Sequence, residues 1–242
     1  MLAIDVGNSY LKWKLWDKSG AVIVSGNALS DDTNYEAMFD FAGQYQVEKI
    51  VLANVAKSRI EKQLITLFSQ AEQLIIKSSD RCLGVINAYE DAERLGVDRW
   101  LAMIEAYHVA GKTAVCVIDL GTAATLDVVD SSGQHQGGYI VPGLGLMRSA
   151  LLQSTQRVKV NSNTYHCTGY GKNTSEAVEG GLHNLMISWL DAEIAKFRQS
   201  YAQGTIFVTG GDGEQIAALL SDKHITVYKE LLLDGLRRVA LQ

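Results

Sequence analysis

The chain has 242 residues, 47% apolar and 20% charged, with 22 basic and 27 acidic side chains and a net charge of −5. That composition excludes a disordered or low-complexity chain, and its acidic balance argues against sequence-independent nucleic-acid binding. Apolar runs break within about ten residues, too short for a membrane span; Met1-Leu2-Ala3-Ile4-Asp5 lacks the basic stretch of a signal peptide; and Cys82, Cys116 and Cys167 fit neither a zinc spacing nor a disulfide framework.

In chain order, Ile4-Asp5-Val6-Gly7 reads as a strand entering a glycine turn. Leu11, Trp13 and Leu15 alternate with Lys12 and Lys14, the period of a half-buried strand. A third strand is expected over 21–24, helical spacing over 35–45, a buried strand over 50–52, a helix over 59–69 and a strand over 74–76. The second half repeats this order, with strands over 114–120, 125–129 and 138–141, helices over 144–153 and 175–200, a strand over 206–209 and a helix from Glu214. Three strands followed by alternating helix and strand, twice, describe two closely packed mixed α/β domains, 1–112 and 113–242.

The halves also echo each other residue by residue. Ile4-Asp5-Val6-Gly7 recurs 114 residues on as Ile118-Asp119-Leu120-Gly121. Asp17-Lys18-Ser19-Gly20 returns as Asp130-Ser131-Ser132-Gly133 after a one-residue deletion. Such self-similarity is the mark of a duplicated unit.

Several motif fragments are set aside. Gly111-Lys112-Thr113 ends like a P-loop but has Ala106 at the earlier glycine position and follows a helix instead of a strand. Gly143-Leu144-Gly145 and Gly169-Tyr170-Gly171 start dinucleotide fingerprints that Arg148 and Thr174 interrupt, and neither is expected to join a strand directly to a helix. His108, His135, His166, His183 and His224 show no ligand spacing, and none is assigned to a metal.

The aspartate-glycine turns carry chemistry. An aspartate ending a buried strand must be paired or bound to a cation. Gly7-Asn8 tolerates positive φ, so the turn can present N–H groups to phosphate oxygens, with Ser9 adding a hydroxyl and Lys12 a charge. Asp5 can then hold Mg2+ beside those phosphates. Asp119-Leu120-Gly121-Thr122 offers the same construction, and two facing turns would clamp a nucleotide in a cleft.

This constellation resembles the actin, sugar-kinase and Hsp70-like ATPase superfamily, with Gly210-Gly211-Asp212-Gly213 where that superfamily places a nucleotide contact. The resemblance implies two duplicated ribonuclease-H-like domains with a nucleotide cleft between them. Asp5-Val6-Gly7-Asn8-Ser9, Gly96-Val97-Asp98-Arg99, Asp119-Leu120-Gly121-Thr122-Ala123, Gly137 through Gly143 and Asn173-Thr174, in this order, narrow it. The set resembles type III pantothenate kinase, the first enzyme of coenzyme A synthesis in many bacteria. Ser9 stands where threonine is frequent and keeps the hydroxyl.

The resemblance implies that Asp5, Val6, Gly7, Asn8, Ser9, Tyr10, Leu11 and Lys12 form the ATP phosphate loop and that Thr122 touches the nucleotide. It implies Asp119 as the ligand of potassium or ammonium and Asp98 as the base that takes the proton of pantothenate's primary hydroxyl. Tyr89, Gly96, Val97 and Arg99 would line the pantothenate site, and Thr174 would reach it from the second chain of a homodimer. The sparse, odd set of cysteines and the lack of a signal peptide predict a cytoplasmic protein, and the acidic balance and short apolar runs predict no nucleic-acid or membrane partner.

The residues also admit plainer roles. Asp98 reads as an N-cap for the apolar face Leu101, Ile104 and Ala106. Thr174-Ser175-Glu176-Ala177 reads as a capping box. Gly137-Gly138 and Pro142-Gly143 are explained by turn chemistry, or as a shaped cleft wall. Competing functions are an accessory factor on the same fold, a sugar-kinase-like repressor and a kinase for another hydroxylated acid. Retention of both Asp5 and Asp98, the absence of a region for a helix-turn-helix before the first strand, and Gly96-Val97-Asp98-Arg99 with Tyr89 argue against them in turn.

Overall fold

The computed structural model describes residues 1–30, 41, 43–55, 58–154 and 169–242. Most of the helix expected over 35–45 lies outside the described residues, as do His166 and Cys167. The first sheet contains β1 (Leu2–Val6), β2 (Tyr10–Trp16), β3 (Val22–Leu29), β4 (Lys49–Asn54) and β5 (Glu72–Ile75) in the order β3-β2-β1-β4-β5. The second contains β8 (Val115–Leu120), β9 (Ala123–Val129), β10 (His135–Pro142), β11 (Thr205–Thr209) and β12 (Ile225–Val227) in the order β10-β9-β8-β11-β12. Between them lies a small hairpin, β6 (Arg81–Cys82) with β7 (Val85–Ile86). In each large sheet the first three strands are antiparallel and the last two run parallel to the first.

Beside a short 3-10 helix (Ala92–Arg94), the α-helices are α1 (Ser58–Leu67), α2 (Val97–Val109), α3 (Leu144–Ser154), α4 (Thr174–Ser200), α5 (Gly213–Leu219) and α6 (Leu231–Ala240). β1 is buried along its whole length: strands pair with both its edges, and its two faces pack into different cores, Leu2, Ile4 and Val6 in one and Ala3 in the other. One core joins Ile4, Leu15, Leu52 and Leu64 of the first half, and a second joins Ile118, Leu126, Leu190 and Val208 of the other.

The expected alternation in β2 fails at Lys14, which is buried. The cause is α6, unforeseen in sequence, which packs on the first sheet and places Asp234 2.9 Å from the Lys14 ammonium. Leu233, Leu236 and Ala240 join Ala3, Val51 and Leu101 in a shared core. Gly235 lets α6 come close to α2, since a Cβ there would lie 2.3 Å from the Leu101 carbonyl oxygen.

The P-loop look-alike ends a helix. Gly111 and Lys112 have φ of 70° and 62°, and the Lys112 N–H donates to the Tyr107 carbonyl at 2.8 Å, closing α2. Gly143, by contrast, does join strand β10 directly to helix α3, contrary to expectation. β10 is an antiparallel edge strand, so the junction is still no dinucleotide fold.

Candidate active site between two glycine turns

Asp5 and Asp119 are the penultimate residues of β1 and β8, the central strands of their sheets. The first turn is held by the Gly7 N–H donating to the Tyr10 carbonyl at 3.0 Å, the second by the Gly121 N–H donating to the Ala123 carbonyl at 3.0 Å. The tips meet, with Ser9 Oγ and Thr122 Oγ1 sharing a hydrogen bond of 2.6 Å across the seam. Pro142-Gly143 backs the second turn: the Gly143 N–H donates to the Thr122 carbonyl, and a Cβ on Gly143 would lie 2.1 Å from the Gly121 oxygen.

Three carboxylates lie within electrostatic reach of one another here. Asp5 is 6% exposed and its Oδ1 has no hydrogen-bond partner. Burial pushes its carboxyl up to about 7; Lys12 opposes the rise, while Asp98 and Asp119 add to it. Burial likewise lifts Asp119 to about 6, again with Lys12 opposing and Asp98 adding. Asp98 is raised as well, chiefly by burial. Lys12 lies directly across the β1–β2 ladder from Asp5 and is the cation that both strand-end aspartates feel. The oxygen donors and the orphaned Asp5 Oδ1 suit a hard cation. Among the described residues no three His, Cys, Asp or Glu side chains gather closely enough to hold an ion by themselves, so a cation here would need oxygens from its ligand or water.

Asp98 is not the N-cap of α2. Gly96 occupies that position, and Asp98 sits in the first turn with Oδ1 accepting from the Arg99 N–H at 2.8 Å. A Cβ on Gly96 would lie 2.5 Å from that oxygen, so the glycine makes room for the carboxylate. Val97 is turned into the core shared with α6, and Val6 and Leu11 are core residues too, so only their backbones can face a ligand. Tyr10 is exposed.

Arg99 is buried. Its Nε and Nη2 donate to the two Asp127 carboxylate oxygens at 2.8 and 2.6 Å, and Nη1 donates to the Tyr89 hydroxyl at 3.0 Å. Tyr89 follows β7, its N–H held by Asn87 Oδ1 at 3.0 Å. Asp127 and His135 were not foreseen as site residues. The available signal was an aspartate in mid-strand between Leu126 and Val128, where a charge must find a partner.

Thr174 stands apart at the head of α4. The N-cap is Asn173, whose Oδ1 accepts from the Glu176 N–H at 3.0 Å, while Glu176 accepts from the Lys172 N–H at 2.8 Å. The capping box therefore begins one residue before the expected Thr174. Thr174 lines a groove of about 620 Å³ with Leu151, Val178, Leu182 and Leu185, and none of the groove's residues belongs to the carboxylate cluster. Gly210, at φ 92°, abuts that cluster instead: a Cβ would lie 2.5 Å from Asp119 Oδ1.

Residues 1–196 match the type III pantothenate kinase family. A type III pantothenate kinase of Ectopseudomonas mendocina (strain ymp) is 36% identical over 226 residues, covering 89% of this chain and 90% of the relative. A Baf-family transcriptional activator from Campylobacter jejuni, by its description, superposes with a TM-score of 0.64 at 20% identity, covering 100% of this chain and 98% of that one. A propionate kinase from Francisella tularensis superposes with a TM-score of 0.54 at 12% identity, covering 97% and 98%. The two structural likenesses, at such identities, speak for the fold alone: the duplicated, actin-like ATPase architecture with two matching five-stranded sheets.

Proposed function

The chain belongs to the type III pantothenate kinase family, and from this and the cleft geometry we propose that it transfers the γ-phosphoryl group of ATP to the primary hydroxyl of pantothenate, giving 4'-phosphopantothenate, the first step of coenzyme A synthesis. The observation that carries the reading is the contact of the two glycine turns through Ser9 and Thr122, with Asp5 opposite Lys12 and with Asp98 and Asp119 within electrostatic reach. Phosphoryl transfer asks mainly for positioning and charge neutralisation, and this seam offers both.

In this reading residues 5–12 and Thr122 receive the phosphates, with Lys12 as the protein's own positive charge. Asp98 accepts the proton of the attacking hydroxyl; its burial makes it a stronger base than a solvated aspartate. Tyr89, the Gly96-Val97 backbone and the remaining N–H groups of Arg99 bind pantothenate. Asp5 would hold Mg2+ and Asp119 potassium or ammonium; bound there, these ions supply the positive charge that phosphates beside carboxylates require.

The unit in solution is proposed to be a homodimer in the cytoplasm. The support is the groove at the head of α4, whose Leu185 is 58% exposed and whose lining includes Thr174 but none of the three carboxylates. A seam along this groove would present Thr174 to the partner's pantothenate site.

ADP release with pantothenate, compared with a panel of sugars and hydroxy acids, tests the substrate. Turnover on another acceptor but not on pantothenate would overturn the reading. Mixing Asp98→Asn chains with Thr174→Arg chains tests the shared site: restored activity is expected, because one site of a mixed dimer carries neither change.

A further inference from the structure

We infer that Asp127 and His135, both from the second half, are positioning residues that aim Arg99 and Tyr89 of the first half at the acceptor substrate. The inference rests on the reading of Arg99 and Tyr89 as pantothenate contacts.

All three polar partners are buried: Arg99 is 7% exposed, Asp127 2% and His135 1%. An ionised carboxylate at such depth needs strong partners. Arg99 supplies a two-pronged contact, and His135 Nε2 lies 3.0 Å from the same Asp127 Oδ1 that receives Arg99 Nη2. His135 Nδ1 lies 3.4 Å from the Ala88 N–H and can only accept from it. The ring's proton therefore sits on Nε2 and is donated to Asp127, which fixes the tautomer.

The chain of contacts then closes on itself. The His135 ring lies nearly parallel to Tyr89, centroids 6.3 Å apart at 13°. The Arg99 guanidinium carbon is 5.8 Å from the Tyr89 ring centroid, and Nη1 donates to its hydroxyl. Three of the five guanidinium N–H groups are thus committed, and the two that remain have a fixed direction. Arg99 is held in one orientation by a strand of the other half, instead of searching for its ligand.

Gly138 belongs to the same device. An irregularity in the β9–β10 ladder between His135 and Gly137 brings Gly138 directly opposite Asp127. A Cβ there would lie 2.3 Å from Asp127 Oδ1 and 2.2 Å from the Leu126 carbonyl. The glycine pair that turn chemistry alone seemed to explain makes room for the carboxylate that orients Arg99.

The test is steady-state kinetics of Asp127→Asn, His135→Gln, Arg99→Lys and the double variant Arg99→Lys/Asp127→Asn. Asp127→Asn is expected to raise the KM for pantothenate roughly tenfold or more while the KM for ATP stays within about twofold. The double variant should be no worse than the poorer single one, because Asp127 acts through Arg99. Three results overturn the inference: an unchanged pantothenate KM in folded Asp127→Asn, an equal rise in both KM values, or multiplied losses in the double variant. If Asp127→Asn does not fold, His135→Gln decides by the same split. An unchanged pantothenate KM in Arg99→Lys would instead sink the role given to Arg99 itself.

Discussion

The two glycine turns are built alike and equipped differently. Each ends the central strand of a five-stranded sheet, and each is followed by a second matching turn. Asp17 Oδ1 accepts from the Ser19 N–H and hydroxyl at 2.8 and 2.6 Å; Asp130 Oδ1 accepts from the Ser132 N–H and hydroxyl at the same distances. The glycines closing those turns have φ of 87° and 86°. Yet across the ladder Asp5 faces Lys12, whereas Asp119 faces Thr125. Beside Asp119 the chain leaves β11 through Gly210-Gly211, while beside Asp5 it leaves β4 through Asn54-Val55. The duplicated frame is kept where it only shapes the backbone and departs where a ligand would be met. A positive group stands on one side, and an open glycine wall on the other.

The sharpest way to break this asymmetry is at the residue that neither turn supplies. Asp98→Asn should leave the fold and ATP binding in place and lower pantothenate phosphorylation by about two to four orders of magnitude. Turnover within tenfold of wild type would remove Asp98 from its role. Next comes the cation. Rates in potassium or ammonium salts should exceed those in sodium at matched ionic strength, and Asp119→Ala should erase the difference. Asp5→Ala should instead raise the Mg2+ concentration needed for half-maximal rate. Equal rates in sodium and potassium for the wild type would count against the division of labour.

Stability gives a third, smaller contrast. The folded Asp5 carboxyl titrates near 7 against 3.8 in an ordinary aspartate. A carboxyl raised in the folded state contributes stability that is present below pH 4 and lost as pH rises through 7. In chelator and without nucleotide, Asp5→Asn should therefore gain on the order of 2–4 kcal/mol over wild type at pH 8 and almost nothing at pH 4. Asp119→Asn, from a carboxyl near 6, should gain less. Urea melts at the two pH values check both, and identical midpoints in all three proteins would refute the burial argument. The smallest contrast lies in the second turns. Gly20→Ala should cost roughly 1 kcal/mol for its positive φ. Gly133→Ala should cost clearly more, since its Cβ would lie 2.0 Å from the Gly84 carbonyl, whereas Gly20 meets only the tip of Arg237. Equal urea midpoints would show that the packing around Gly133 yields.

How much of this was legible depends on range along the chain. Both Asp-Gly turns, the strands β1 to β5 and β8 to β11 in their order along the chain, and the resemblance carried by Asp98, Asp119 and Asn173-Thr174 are local signals, set by neighbours a few residues apart; the short strands β6, β7 and β12 carry too weak a pattern to be read. Lys14 misled because the partner that lets it be buried, Asp234, lies 220 residues away. Arg99 is legible as a substrate contact but not as one half of a buried pair, because its carboxylate comes from a strand of the second sheet 28 residues on. The alternative reading of Asp98 as a cap fails because sequence alone does not say whether Gly96 or Asp98 begins α2. Only the space Gly96 leaves for the carboxylate shows why the glycine comes first.

Helix α6 has a consequence for the order in which the protein is made. The first sheet, complete in strands by residue 75, shares the core of Ala3, Trp16, Val51 and Ala53 with Val97 and Leu101 of α2, and that core stays open on one side until residues 231–240 arrive to pack on it. During synthesis the earliest strands therefore emerge long before their lid, and contacts spanning most of the chain must form last. The first half is predisposed to wait as an open, sticky sheet and to be closed from the far end. Its exposure to chaperones and proteases is then set by the time the ribosome takes to reach residue 240.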